Sequence, residues 1–265
     1  MKVAVLFCAL LHTVISAPVP DAEILTYLSE YGLLAENPSS PRNLQSNMES
    51  YIVAAQQELG LNATGILDEE TAELMRQPHC GVTRTWRSES PRRRRFALGN
   101  SRWRRAPVTY KISNSDPTGQ LHDTQVADSF RRVTTLISTF TLAAFAVHDP
   151  NSALHPEVAD IVISFVPDAH DCVSHFNGSV LAHATYPWAG GDIHIRQNRN
   201  WTAFIFDAVV WHEFLHALGV DHSEFKNALM YKTYHAPEQA GIFFTPDDME
   251  AVQALYGRKK IDADG

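Results

Sequence analysis

Cysteine is scarce in this chain of 265 residues: Cys8, Cys80 and Cys172 are all it has. Cys8 lies in the run Val3-Ala-Val-Leu-Phe-Cys-Ala-Leu-Leu11, which follows Lys2 and is too short to span a bilayer comfortably. The run reads as a secretory signal over residues 1–16, cut after Ser16, because Val14 and Ser16 suit the small-residue rule and a cut after Ala17 would expose Pro18. With Cys8 removed, no disulfide framework remains, and Cys80 and Cys172 need separate explanations. A single Cys80–Cys172 bridge is the plainer alternative. No later apolar segment is long enough to cross a membrane, so the product is expected to be soluble, extracellular, not membrane-spanning and monomeric. Net positive charge is also missing. With 22 Lys and Arg against 30 Asp and Glu, the formal charge of -8 argues against nucleic acid as a partner.

What is present is enough apolar residue, 45%, to bury one large or two small cores. Residues 21–77 carry helical periodicity at Ile24, Leu25 and Leu28, then Leu44, Met48, Tyr51, Ile52 and Leu59, then Leu74 and Met75 after an acidic start at Asp68. They predict a small bundle of three helices. Residues 85–105 are rich in Arg, Ser and Pro, lack apolar periodicity and read as a linker. Within it, Arg92-Arg-Arg-Arg95 suits a furin-like convertase, and Arg102-Trp-Arg-Arg105 competes with it. Beyond the linker the pattern predicts strands over 108–112, 140–147, 160–165, 180–184 and 192–196, and helices over 123–138, 203–218 and 246–256. Asn62-Ala-Thr64, Asn177-Gly-Ser179 and Asn200-Trp-Thr202 are glycosylation acceptors in a secreted chain.

The densest chemistry is His212-Glu-Phe-Leu-His216-Ala-Leu-Gly219-Val-Asp-His222. Two histidines four apart share one helix face, and Gly219 can take the left-handed conformation that ends the helix and returns His222 to the same point. Three neutral imidazoles leave a fourth zinc position open, the mark of a catalytic rather than a structural site. A bare His-Glu-x-x-His also suits an amphipathic helix with solvated histidines. The glycine, the third histidine and Met230, at a distance suited to a tight turn beneath the metal, favour the zinc site.

On these residues the chain resembles the matrix metalloproteinases, the matrixin branch of the metzincins, from about residue 20 to its end. The resemblance implies an α+β zincin sandwich, with a five-stranded twisted mixed sheet and three helices in a catalytic domain over 96–265. Before it would stand a signal at 1–16 and a helical propeptide at 17–95, with processing after Arg95 because Phe96-Ala-Leu-Gly resembles the start of mature matrixin domains. It also implies a zinc endopeptidase made as a latent proenzyme and acting on extracellular proteins or peptides, collagen-type matrix among them. Glu213 would be general base, taking the proton of a zinc-activated water and passing it to the leaving amine. With no propeller-like domain expected after Gly257, the matrilysin kind is the nearest form.

Further ligands follow from the same resemblance. A structural zinc is expected on His170, His183 and His194, completed by Asp171, which is preferred, or by Cys172. Asp160 and Asp192 stand where a family calcium binds. A second calcium is expected to be lost, because Ile195-Arg-Gln-Asn-Arg199 offers cations where hard oxygen donors are needed. Pro78-His-Cys80-Gly81 keeps the propeptide cysteine that would occupy the open zinc position, but lacks the family's neighbouring arginine. Val180 to His183 resembles the edge strand on which substrates lie. In Met230-Tyr-Lys232-Thr-Tyr234, the wall after the scissile bond, lysine replaces a family proline. Ala208 either sets the depth of that pocket or is a plain core alanine. The Phe96 ammonium of the processed chain is expected to pair with Asp247 or Asp248. Two other classes remain: a catalytically weak or inactive binding protein on the same fold, and a matrix- or cell-wall-binding protein built around the N-terminal bundle.

Overall fold

The computed structural model describes residues 22–31, 33–34, 41–82, 101–149, 151, 158–172, 175–234 and 244–259. The signal expected over 1–16, the processing site at Arg95 and the new terminus at Phe96 lie outside the described residues. No described helix is long and apolar enough to cross a membrane.

The N-terminal region forms three helices, α1 (Ala22–Glu30), α2 (Pro41–Glu58) and α3 (Glu69–Arg76). Asp68 caps α3 by accepting the Thr71 N–H at 2.8 Å, while Glu69 and Glu70 in the first turn and Arg76 in the last complement the helix dipole. Ile24, Leu28, Ile52, Leu59 and Met75 meet in one buried cluster, as their spacing predicts, joined by Tyr27 and Tyr31. The loop between α2 and α3 is tied down by the buried Gln56 amide. Its Nε2 donates to Thr64 Oγ1 at 3.0 Å and Ile66 O at 2.9 Å, and its Oε1 accepts the Gly65 N–H at 2.9 Å.

The larger region builds one sheet from β2 (Val108–Ile112), β3 (Phe145–Val147), β4 (Ile161–Val166), β5 (Val180–Ala184) and β6 (Ile193–Arg196). Strand β4 alternates buried Ile161, Ile163 and Phe165 with half-exposed neighbours, the period-two pattern of a strand with one covered face. Helices α4 (Asp123–Phe140), α5 (Ala203–Leu218) and α6 (Pro246–Tyr256) join the same core through Phe130 and Ile137, Val209 and Phe214, and Val252. Ala208 is 4% exposed within that core.

One expectation needs adjustment. Helix α4 runs on to Phe140, and the strand expected from Phe140 begins only at Phe145, because Thr141 caps the helix by donating through N–H and Oγ1 to Ile137 O. The five strands expected of the larger region are present, and among the described residues a sixth, β1 (His79–Cys80), joins them in the order β1-β5-β6-β4-β2-β3. This sixth strand is a short piece of the N-terminal region that pairs in parallel with β5. Among the described strand pairs, only β5 and β6 run antiparallel.

Candidate metal centres

Helix α5 is unusual in burying twelve of its sixteen residues, so His212, Glu213 and His216 sit in a dry interior. Thr202 starts it by accepting the Ile205 N–H. Gly219 ends it at φ 102°, where a side chain would collide with the Ser101 carbonyl, and the chain turns back with Val220 N–H donating to Leu215 O. That reversal brings His222 alongside. The ring centroids of His212, His216 and His222 lie 4.6–5.3 Å apart.

Two of these rings are locked by backbone carbonyls. His212 Nδ1 donates to Leu229 O and His216 Nδ1 to Val220 O, each at 2.7 Å. A carbonyl can only accept, so Nδ1 carries the proton and Nε2 keeps its lone pair for a metal. His216 Nε2 and His222 Nε2 are 3.1 Å apart. The carbonyl of Leu229 belongs to the turn around Met230, which is 1% exposed. Asp248 holds that turn by accepting the N–H groups of Leu229 and Met230 at 3.0 Å each, while also accepting from Thr245 at the start of α6. The Phe96 ammonium expected to pair with Asp247 or Asp248 lies outside the described residues. Asp248 itself is buried and closes the Thr245-x-x-Asp248 capping box.

The fourth donor is Cys80. Its sulfur and one nitrogen from each of His212, His216 and His222 all lie within 4.8 Å of one another, and all four residues are buried. The segment around Cys80 is threaded between β5 and residues 232–234. His79 N–H donates to Ser179 O at 3.2 Å and Gly81 N–H to Ala182 O at 2.9 Å on one side; Cys80 N–H donates to Lys232 O at 3.1 Å and Tyr234 N–H to Pro78 O at 2.9 Å on the other. At Gly81 a side chain would strike Val180 at 2.8 Å, so glycine is what allows this approach. Beside the sulfur, Glu213 is fully buried and accepts the Tyr234 hydroxyl at 2.5 Å. Burial pushes its carboxyl up to about 7, against the opposing hydrogen bonds of Tyr234 and Cys80. The Cys80 thiol is raised well above its ordinary value, by burial first and the nearby Glu213 second.

A second group of donors forms on the other side of the sheet's antiparallel pair. His183 and His194 are direct cross-strand partners in β5 and β6, so their rings share a face, with His183 Nε2 3.0 Å from His194 Nδ1. His170 approaches from the loop after β4, its Nδ1 3.0 Å from Pro167 O. Burial, reinforced by neighbouring imidazoles, lowers His183 to about 3 and His194 to about 4, which keeps both neutral and competent as ligands. Cys172, half-buried, brings its sulfur within 4.8 Å of a nitrogen of each of these histidines, whereas Asp171 is exposed and outside the group, so the placement favours Cys172 over the expected Asp171. The reason is a tight turn: Cys172 N–H donates to His170 O at 2.7 Å, which puts residues 170 and 172 on one side and 171 on the other. Cys80 and Cys172 are both free thiols, which excludes the alternative bridge between them.

Both groups pass a simple test of fit for zinc, three imidazoles and a thiol that converge, and backbone carbonyls hold Nδ1 of His212 and His216 in the first and of His170 in the second. A family model described as matrixin peptidase matches residues 102–257, and one described as a peptidoglycan binding domain matches residues 22–75. The chain belongs to the matrixin family. Similar proteins include matrix metalloproteinase-18 of Xenopus laevis, 34% identical over 75% of this chain and 41% of the relative. Human neutrophil collagenase is 33% identical over 95% of this chain and 54% of its own length, and human matrix metalloproteinase-16 is 32% identical over 87% and 40%. The chain thus spans between 40% and 54% of the length of these relatives.

Against the matrixin pattern, the calcium expectations divide. Where acids were expected to be lost, the Arg196 guanidinium takes over: it makes paired contacts of 2.7 Å to Asp168 and donates to Gly178 O and Val180 O at 3.0 Å each. Arg199 adds a bond to Gly178 O at 3.0 Å. This cation gathers one carboxylate and a ring of loop carbonyls, the oxygen set that a calcium ion would use. It holds Asp168 below the usual carboxylate range. Asp160, expected to bind a retained calcium with Asp192, is instead engaged by protein donors. Arg105 forms an ion pair with its Oδ1, and Thr109 donates to its Oδ2 through N–H at 2.8 Å and Oγ1 at 3.0 Å. Asp192 Oδ1 accepts the Val162 N–H at 3.3 Å, and burial raises its carboxyl. The two acids are not gathered with a third donor among the described residues.

Proposed function

We propose that this matrixin is the latent form of a secreted zinc endopeptidase that hydrolyses peptide bonds in extracellular proteins. Residues 1–16 would be its signal, 17–95 its prodomain and 96–265 its catalytic domain, with a furin-like convertase cutting after Arg95. The observation that carries this reading is the convergence of Cys80 on the three histidines of α5 and its return loop, all four buried and within 4.8 Å. A thiol held there by strand pairing on both sides excludes water from the fourth position until the prodomain leaves.

A zinc ion in this site supplies Lewis acidity and a water of lowered pKa at neutral pH. The chain's own residues do the rest. Glu213, buried beside the site with its carboxyl near 7, is poised to take a proton from the attacking water and return it to the leaving nitrogen. The Tyr234 hydroxyl fixes one of its oxygens at 2.5 Å and leaves the other for the proton. The edge of β5 and the backbone of residues 232–234, now bonded to Pro78–Gly81, would receive the substrate as an added strand once the prodomain is gone. The His170, Cys172, His183 and His194 group would hold a structural zinc, giving two zinc ions per chain. Arg196 fits the expected loss of one calcium, while Arg105 on Asp160 argues against the calcium expected at Asp160 and Asp192.

The test is a peptide- and protein-cleavage assay on the processed chain, with and without a zinc chelator, read beside metal content. Chelator-sensitive cleavage with two zinc ions bound is the expected result. Fully metal-loaded, processed protein that cuts nothing would leave a binding protein on a protease fold.

A further inference from the structure

Lys232 is a charged side chain where the family pattern has proline, and its environment is unusual. Its side chain is 2% exposed, and Nζ donates to Glu58 Oε2 at 2.9 Å, a carboxylate only 4% exposed. The same ammonium stands 3.5 Å from the ring centroid of Tyr31 and 5.9 Å from that of Tyr27. A buried ammonium requires this kind of compensation: an opposite charge and the negative faces of aromatic rings. Every one of those partners comes from the N-terminal region. The next side chain along, Tyr231, also reaches that region, donating its hydroxyl to Leu59 O at 2.6 Å.

The backbone at this point is part of the slot that holds the segment around Cys80. Lys232 O accepts the Cys80 N–H at 3.1 Å, and Thr233 faces His79 across an antiparallel bridge. The lysine therefore projects from the strip that would border the residues following the scissile bond. Removing the N-terminal region takes Glu58, Tyr27 and Tyr31 away together and returns the ammonium to solvent at the rim of the cleft.

We propose that Lys232 then recognises a carboxylate of the substrate, so that the processed enzyme prefers peptides with Asp or Glu on the C-terminal side of the cut. In the proenzyme the Glu58 carboxylate occupies the place that the substrate acid takes later. The inference rests on the reading of the chain as a protease with a removable prodomain. Because an ammonium on a flexible stem is a point charge without fixed direction, it selects charge rather than a particular acidic side chain. At a solvent-exposed rim such a contact is worth about a fivefold preference, and it weakens with salt.

The full chain, processed in solution, is assayed as wild type, Lys232→Met and Lys232→Glu. The substrates are peptide twins that differ only by Glu or Gln at the first, second or third position after the cut. The wild type is expected to favour the Glu twin about fivefold in kcat/KM at one of these positions at low salt. The ratio should fall to about one in Lys232→Met, which keeps the apolar stem, and invert in Lys232→Glu. Equal handling of every pair by the wild type, or a ratio that survives in Lys232→Met, overturns the proposal while the cleavage itself upholds the protease reading. If the processed wild type cuts no peptide, the protease reading fails by itself. The Lys232 assignment is then decided by binding of the same labelled twins: tighter binding of the Glu twin supports it, and equal binding overturns it.

Discussion

The two candidate metal centres are built from the same donors, three imidazoles and one thiol, yet they differ in how the thiol is attached. In the first, His212, His216 and His222 come from one helix and its return loop, while Cys80 arrives from a distant region through strand pairing. In the second, Cys172 follows His170 by two residues and is turned inward by a local hydrogen bond. A ligand held by its own turn cannot leave without unfolding that turn, whereas one carried on a separable segment departs with the segment. Equivalent donor sets can thus serve a closed structural site and a site that opens for chemistry. Beside the first lies a fully buried carboxylate, Glu213, hydrogen-bonded to Tyr234.

The largest expected effect separates the centres by that carboxylate. Glu213→Gln in the processed chain should lower kcat/KM by about 10²–10⁴-fold, the usual worth of a general base. Metal analysis should still find both zinc ions, since Glu213 belongs to neither donor group; cleavage close to wild type would remove Glu213 from its role.

Exchanging the thiols tests the contrast in attachment. Cys80→Ser in the unprocessed chain should raise peptide cleavage toward that of the processed protein, with little change in thermal stability. Cys172→Ser should do the reverse, losing one zinc and about 3 kcal/mol of stability, the linkage expected when free metal stands near a hundredfold above its dissociation constant. Asp171→Asn should shift the unfolding midpoint by no more than about 0.5 kcal/mol, as for an exposed surface position. A zinc content that falls in Asp171→Asn and not in Cys172→Ser would restore the aspartate as the ligand.

A further contrast concerns the loop beside the second centre. Arg196→Ala removes a guanidinium that bonds Asp168 and two loop carbonyls, and should cost about 1–3 kcal/mol, discounted because the Asp168 side chain is 60% exposed. Adding excess calcium to the zinc-loaded wild type should leave its melting temperature unchanged. A clear rise with calcium would mean that the arginine has not taken over the cation's place.

Much of this was legible in the residues. The first centre's histidines lie within eleven positions, His212 to His222, and helical periodicity with one glycine is enough to bring them together. The strands and helices of the larger region follow their apolar patterns closely, because each packs one face on a single core. The choice between Asp171 and Cys172 was not legible, since adjacent residues point to opposite sides and one turn decides which faces inward. The bonds of Asp248 to the Met230 turn were not legible either, because its partners there, Leu229 and Met230, are supplied by another loop.

The sequence alone determined the family, the histidine trio with Glu213 beside it, and the presence of a separate helical region bearing Cys80, because these depend on local spacing and on patterns repeated over a few turns. Tertiary structure decided which groups from distant segments share a space: β1 on the edge of β5, Arg196 in the carbonyl ring of its loop, Arg105 on Asp160, and Lys232 buried against Glu58. Those pairings reflect burial and charge compensation, which are properties of the packed interior and have no periodic trace along the chain.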